Sequence, residues 1–112
     1  MLDLDKYINN CKEVRLFGET IHVQEPTLAM IEEIDKIEED LSEENLRDKR
    51  FQVAMLMINF NREGREYTEK ELKKLPFEAI AAIVEEIGMM RFMADMDPNS
   101  ESPSPAGKSE KQ

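Results

Sequence analysis

Of the ten residues from Phe51 to Phe60, only Gln52 and Asn59 are polar. Two helical stripes overlap in this run. Val53, Leu56, Met57 and Phe60 follow the i, i+3, i+4, i+7 spacing, and so do Phe51, Ala54, Met55 and Ile58. Gln52 and Asn59 are seven apart and share one narrow polar strip. A helix apolar almost all round must be covered on nearly every side. The stretch is therefore either the central core helix of a small domain, or a helix with one stripe on its own core and the other on a partner. It is too short to span a membrane, which takes ~20 residues.

The flanking patterns complete a mainly α expectation, with a small N-terminal β-hairpin packed on a bundle of about four helices. Leu2 to Asn10 reads as a short helical turn or arm. Residues 13–24 alternate as a hairpin, and a turn at Gly18-Glu19 pairs Leu16 with Ile21 and Val14 with Val23. These four apolar residues then share one face. A lone hairpin is marginal in water, so it must lie on the helices or join another sheet. Pro26 in a first turn, or Thr27 as an N-cap, opens a helix with a Leu28, Ile31, Ile34, Ile37, Leu41 stripe. Ser42 is the expected N-cap of the helix running to about Phe60, with Leu41 and Leu46 as its staple. Asn61 to Gly64 reads as a loop.

Thr68-Glu-Lys-Glu71 has the spacing of a capping box, with Tyr67 and Leu72 as its staple. That helix stops before Leu75-Pro76. Pro76 opens a last helix with Phe77, Ile80, Ile83, Val84, Ile87 and Met90 inward and Glu78, Glu85 and Glu86 outward. Residues 1–96 form one domain. From Asp97 the chain has three prolines and no apolar residue larger than Ala106, the composition of a disordered tail over 97–112.

The net charge of −10 over 112 residues argues against binding a phosphate backbone. Glu32 to Asp48 holds nine acids against Lys36 and Arg47, as a solvated helix face would. One cysteine excludes an intrachain disulfide, and no basic-then-apolar leader opens the chain, so a reducing cytoplasm is expected. With eight Met, two Tyr and no Trp, the core is aliphatic and thioether-rich. Methionine packs adaptably and suits surfaces that accept varied helices.

Catalytic chemistry is not apparent. His22 is the only histidine and falls on the hairpin face away from the core. Cys11 and His22 lack a third, orienting group in sequence. Asp95, Asp97 and Asn99 begin like a calcium loop, but Ser100 and Ala106 stand where glycine and glutamate belong. No glycine-rich phosphate loop or metal-ligand spacing occurs. The chain is read as a non-enzyme with no cofactor and no metal.

Apolar residues at Met89, Phe92 and Met93 fall off the last helix's core stripe. Together with one stripe of the central helix they are the candidate binding surface: Phe51, Met55, Met57, Ile58, Met89, Phe92 and Met93, for partner helices or a second copy of this chain.

The order of these features resembles the tail assembly chaperones of long-tailed bacteriophages and prophages. The matching residues are the hairpin Val14-Arg-Leu-Phe-Gly-Glu-Thr-Ile-His-Val and Glu25-Pro26-Thr27 opening a helix. The apolar central helix, then Glu71-Leu-Lys-Lys-Leu-Pro76 and a final amphipathic helix, complete the match over roughly residues 13–93. The resemblance implies a protein of the bacterial host cytoplasm that binds the hydrophobic, helical tape measure protein and keeps it soluble. Such proteins help recruit tail tube protein and are absent from the mature virion. Many are the shorter of two products of a programmed frameshift, and the segment after Met96 would end that product. An acidic helical adaptor or oligomerisation module, and an acidic DNA mimic, are the rival readings.

Overall fold

The computed structural model describes the backbone of residues 1–96 and the side chains of residues 1–89. The elements run α1 (Asp5–Ile8), β1 (Cys11–Leu16), β2 (Glu19–Gln24), α2 (Leu28–Ile37), α3 (Leu46–Ile58), α4 (Glu69–Leu72) and α5 (Phe77–Met96). The fold is thus mixed: a helical domain carrying an antiparallel hairpin. Three helices are substantial rather than four, because α1 and α4 are single turns. The side chains of Met90, Phe92 and Met93, and the segment 97–112, lie outside the described residues.

The hairpin begins at Cys11 and its register differs from the expected one by two residues. Val14 stands opposite Ile21, Arg15 opposite Thr20, and Leu16 opposite Glu19. The turn is Phe17-Gly18, with φ of 52° and 81°. Positive φ at both central residues is the pattern of a type I′ turn, whose twist matches that of the strands. Side chains alternate with period two, so a two-residue slip leaves Val14, Leu16, Ile21 and Val23 on one face. Phe17 is held in its left-handed conformation beside Tyr67, with ring centroids 6.0 Å apart.

The Asn61–Gly64 connection does more than turn. Arg62 N–H donates to the carbonyl of His22 at 3.0 Å, and Gln24 N–H donates to that of Phe60 at 2.9 Å. Residues around Asn61 therefore extend the sheet beyond β2. Asn61 is buried and its amide is satisfied throughout: Nδ2 donates to the carbonyls of Ile58 and Arg65, and Oδ1 accepts from Arg65 N–H, all at 2.8 Å.

Thr27 caps α2, its Oγ1 accepting from Met30 N–H at 3.2 Å. The stripe on α2 is shorter than its spacing suggested. Ile34 is buried and Ile31 and Ile37 half-buried, while Leu28 is 72% exposed and Leu41 lies beyond the helix, also exposed. The cap of α3 is Asn45, not Ser42. Ser42 and Asn45 bond each other reciprocally in the preceding turn, Ser42 N–H donating to Asn45 Oδ1 at 2.7 Å, which delays the helix to Leu46. At α4 the capping box forms as the spacing predicts, with Tyr67 and Leu72 both buried beside it.

α3 is the centre. It packs along α5, touches α2, and carries the β2 side of the hairpin, while β1 rests on α5. The core comprises Ile21, Val23, Ile34, Val53, Met57, Ile58, Tyr67, Leu72 and Ile87. Each such side chain contributes roughly 1.5–3 kcal/mol by leaving water.

Candidate functional site

The two apolar stripes of α3 are divided by the fold in a way neither stripe foretells. Val53, Ala54, Met57 and Ile58 are buried, two from each stripe. Adjacent pairs one turn apart make a single broad inward wall, and Phe51, Gln52, Met55, Leu56 and Asn59 take the other side. Of the candidate residues, Met57 and Ile58 are therefore core and offer no surface; Ile58 is fully buried. Phe51 and Met55 are half-buried and reach the surface. Met89 is 49% exposed on α5.

Two apolar clefts flank this outer side of α3. The larger, about 620 Å³, lies between α3 and the α4–α5 connection, with Phe51, Met55, Leu72, Leu75, Phe77 and Ile80 as its apolar lining. Phe77, placed on the core stripe by its spacing, is 42% exposed at the cleft mouth. Pro76 starts α5 there, and the first turn overhangs the core instead of entering it. A second cleft of about 520 Å³ lies between α2 and α3, lined by Met30, Ile37, Met55, Leu56 and Phe60. Gln52 and Met55 form the ridge between the two, since both line each cleft. Neither cleft contains Cys11 or His22.

The rim of the larger cleft is charged on both walls: Arg47 and Asp48 on α3, Glu69 on α4 and Lys73 just after it. Lys73 Nζ stands 2.9 Å from Glu69, which holds the ammonium charged beyond its usual range, and 5.6 Å from the centroid of Phe51. A mixed-sign rim around an apolar floor favours an amphipathic segment with no strong net charge.

The walls are held by a latch outside the cleft. Arg65 pairs with Glu19 of the hairpin at 3.0 Å and with Glu71 of α4 at 3.1 Å, which raises its pKa, chiefly through Glu71. Asn59, the polar strip's second member, turns to the loop and clamps Tyr67: Tyr67 N–H donates to Oδ1 at 2.7 Å, and Nδ2 donates to the Tyr67 carbonyl at 3.1 Å. His22 is on the outer hairpin face as expected, and its Nδ1 lies 2.6 Å from Glu63 Oε2.

Met89, Phe51 and Met55 are not on one cleft: Phe51 and Met55 are, and Met89 is on another part of α5. Leu75 and Met30 are cleft residues the periodicity did not single out, and Phe77 is one that it placed in the core. Leu75-Pro76 was legible as a break, and a break between two helices is where an apolar floor opens. Among the described residues no helix is long and apolar enough to cross a membrane. No family model, curated protein or solved structure matches this chain.

Proposed function

We propose that this chain is a tail assembly chaperone that shelters apolar helical segments of a long tape measure protein and helps recruit tail tube protein, without catalysis. The observation that carries the reading is the cleft between α3 and the α4–α5 connection. It is large enough for several side chains of an amphipathic helix, is lined by Phe51, Met55 and Leu72 with Phe77 at its mouth, and is open to solvent. An amphipathic helix laid in such a groove would anchor through side chains at i, i+3, i+4 and i+7. Met55, the thioether in its lining, can adapt its shape to different turns of a bound helix. The net charge of −10 keeps the loaded complex dispersed.

The test is co-expression with apolar helical segments of the tape measure protein from the same locus, reading the soluble fraction and co-purification. Phe77→Ser is expected to keep the helical circular dichroism and weaken capture about tenfold or more, the loss of one buried aromatic contact. Ile58→Ala instead destabilises the domain by about 2–5 kcal/mol. Full capture by a folded Phe77→Ser chain would remove this cleft as the binding site. A partner that stays in the finished assembly would favour the adaptor reading.

A further inference from the structure

β1 is an open sheet edge. In this register Leu16, Val14 and Lys12 exchange backbone hydrogen bonds with β2, so Cys11, Glu13 and Arg15 direct their N–H and C=O groups away from it. The equivalent outward groups of β2, the His22 carbonyl and the Gln24 N–H, are taken by Arg62 and Phe60. Among the described residues nothing takes those of Cys11, Glu13 and Arg15. Under the same edge runs an apolar groove of about 290 Å³ between β1 and α5, lined by Val14, Leu16, Ala79, Ala82 and Ile83 and crossed by the Lys12–Glu86 ion pair at 2.9 Å.

We infer that this edge pairs with β1 of a second copy of the chain, antiparallel, about a two-fold axis at Val14, to make one continuous four-stranded sheet. Charge selects that arrangement. Outward-facing residues can pair only with outward-facing residues, which leaves few two-fold registers. Centring on Glu13 or on Arg15 sets like charges face to face. Centring on Lys12 pairs only Cys11 with Glu13. Centring on Val14 sets Glu13 opposite Arg15 of the second copy and Arg15 opposite its Glu13, two reciprocal ion pairs on adjoining hydrogen-bonded positions. Arg15 has no ion pair within the described residues, and Glu13 meets only His22, at 3.7 Å. On the groove side Val14 meets its own counterpart, and Ala79 and Ala82 leave space beneath it. The charges of this edge thus repel an arbitrary strand and complement a copy of themselves. The inference is independent of the chaperone reading.

The test is the mass of the purified full chain by sedimentation over a concentration series. The expected result is a dimer. Glu13→Arg and Arg15→Glu each set two like pairs face to face and weaken dimerisation about tenfold or more. An equimolar mixture of the two variants recovers a heterodimer, and the double variant Glu13→Arg, Arg15→Glu recovers a homodimer. Circular dichroism of each variant separates lost pairing from lost folding. The mixture and the double variant separate lost complementarity from local damage to the hairpin. A wild-type chain that stays monomeric at its highest soluble concentration, or a dimer indifferent to both reversals, overturns the inference.

Discussion

The guanidinium carbon of Arg65 stands 4.0 Å from the centroid of the Tyr67 ring, and the two side chains end on the same oxygen of Glu19, each at 3.0 Å. One carboxylate on the hairpin is thereby tied to the segment leading into α4, forty-odd residues later in sequence. The cation stacked on the ring and the ring hydroxyl share one acceptor, so the hairpin end is tied to the wall of the large cleft.

That arrangement makes stability sensitive to alkali through Tyr67. Burial, and then the nearby Glu19 carboxylate, raise its pKa above the ordinary 10.0. The folded chain therefore holds the phenol proton at a pH where the unfolded chain releases it. Tyr67 contributes stability below about pH 10 that is lost as pH rises from there through the folded value. The urea midpoint is expected to fall between pH 9 and 11, and to fall less in Tyr67→Phe. The same variant costs about 1 kcal/mol at neutral pH through the lost hydrogen bond to Glu19.

Glu63 supplies the acid counterpart. Its pKa is lowered, first by the hydrogen bond to the His22 side chain and then by that from the His22 backbone N–H. A carboxylate with a lowered folded pKa stabilises above the unfolded value, 4.5, and that contribution disappears as pH falls through the folded one. Because Glu63 is on the surface the effect is small and screened by salt. Glu63→Gln is expected to flatten the decline of the urea midpoint below pH 4.5, most visibly at low ionic strength. An unchanged acid profile in the variant would show that the contact does not survive in solution.

Asn61 is the residue whose truncation should cost most for its size. Asn61→Ala leaves the Ile58 and Arg65 carbonyls and the Arg65 N–H without their partner in a buried loop. About 1–3 kcal/mol per abandoned buried group sets the scale. Asn61→Asp is expected to be damaging too, because a carboxylate cannot donate to the two carbonyls. Chemical denaturation of both variants checks this, and amide exchange should show faster opening of the Phe60–Arg62 pairing with β2.

Local chemistry made much of the fold legible. The Thr68–Glu71 capping box, the Thr27 cap, the break at Pro76 and the shared face of Val14, Leu16, Ile21 and Val23 all depend on residues within a few positions of each other. The candidate site was legible only in part. Phe51 and Met55 reach a cleft, whereas Met57 and Ile58, from the same apolar run, are core. Sequence spacing gives the angle of each side chain around α3 but not the direction from which α5 and the hairpin arrive.

What the sequence by itself determined is which stretches form helices and strands, that Thr27 and Thr68 cap helices, and that α3 must be covered on most sides. Propensity, capping and period are properties of neighbouring residues, and they act before any tertiary contact. Tertiary structure alone decided the rest. The hairpin register was set by Phe17 accepting a left-handed backbone beside Tyr67. The Asn61 hub required the carbonyls of Ile58 and Arg65 to converge. The arc of α3 left open to solvent was chosen by α5, α2 and the hairpin, whose packing buries Val53, Ala54, Met57 and Ile58, apolar area from both stripes at once.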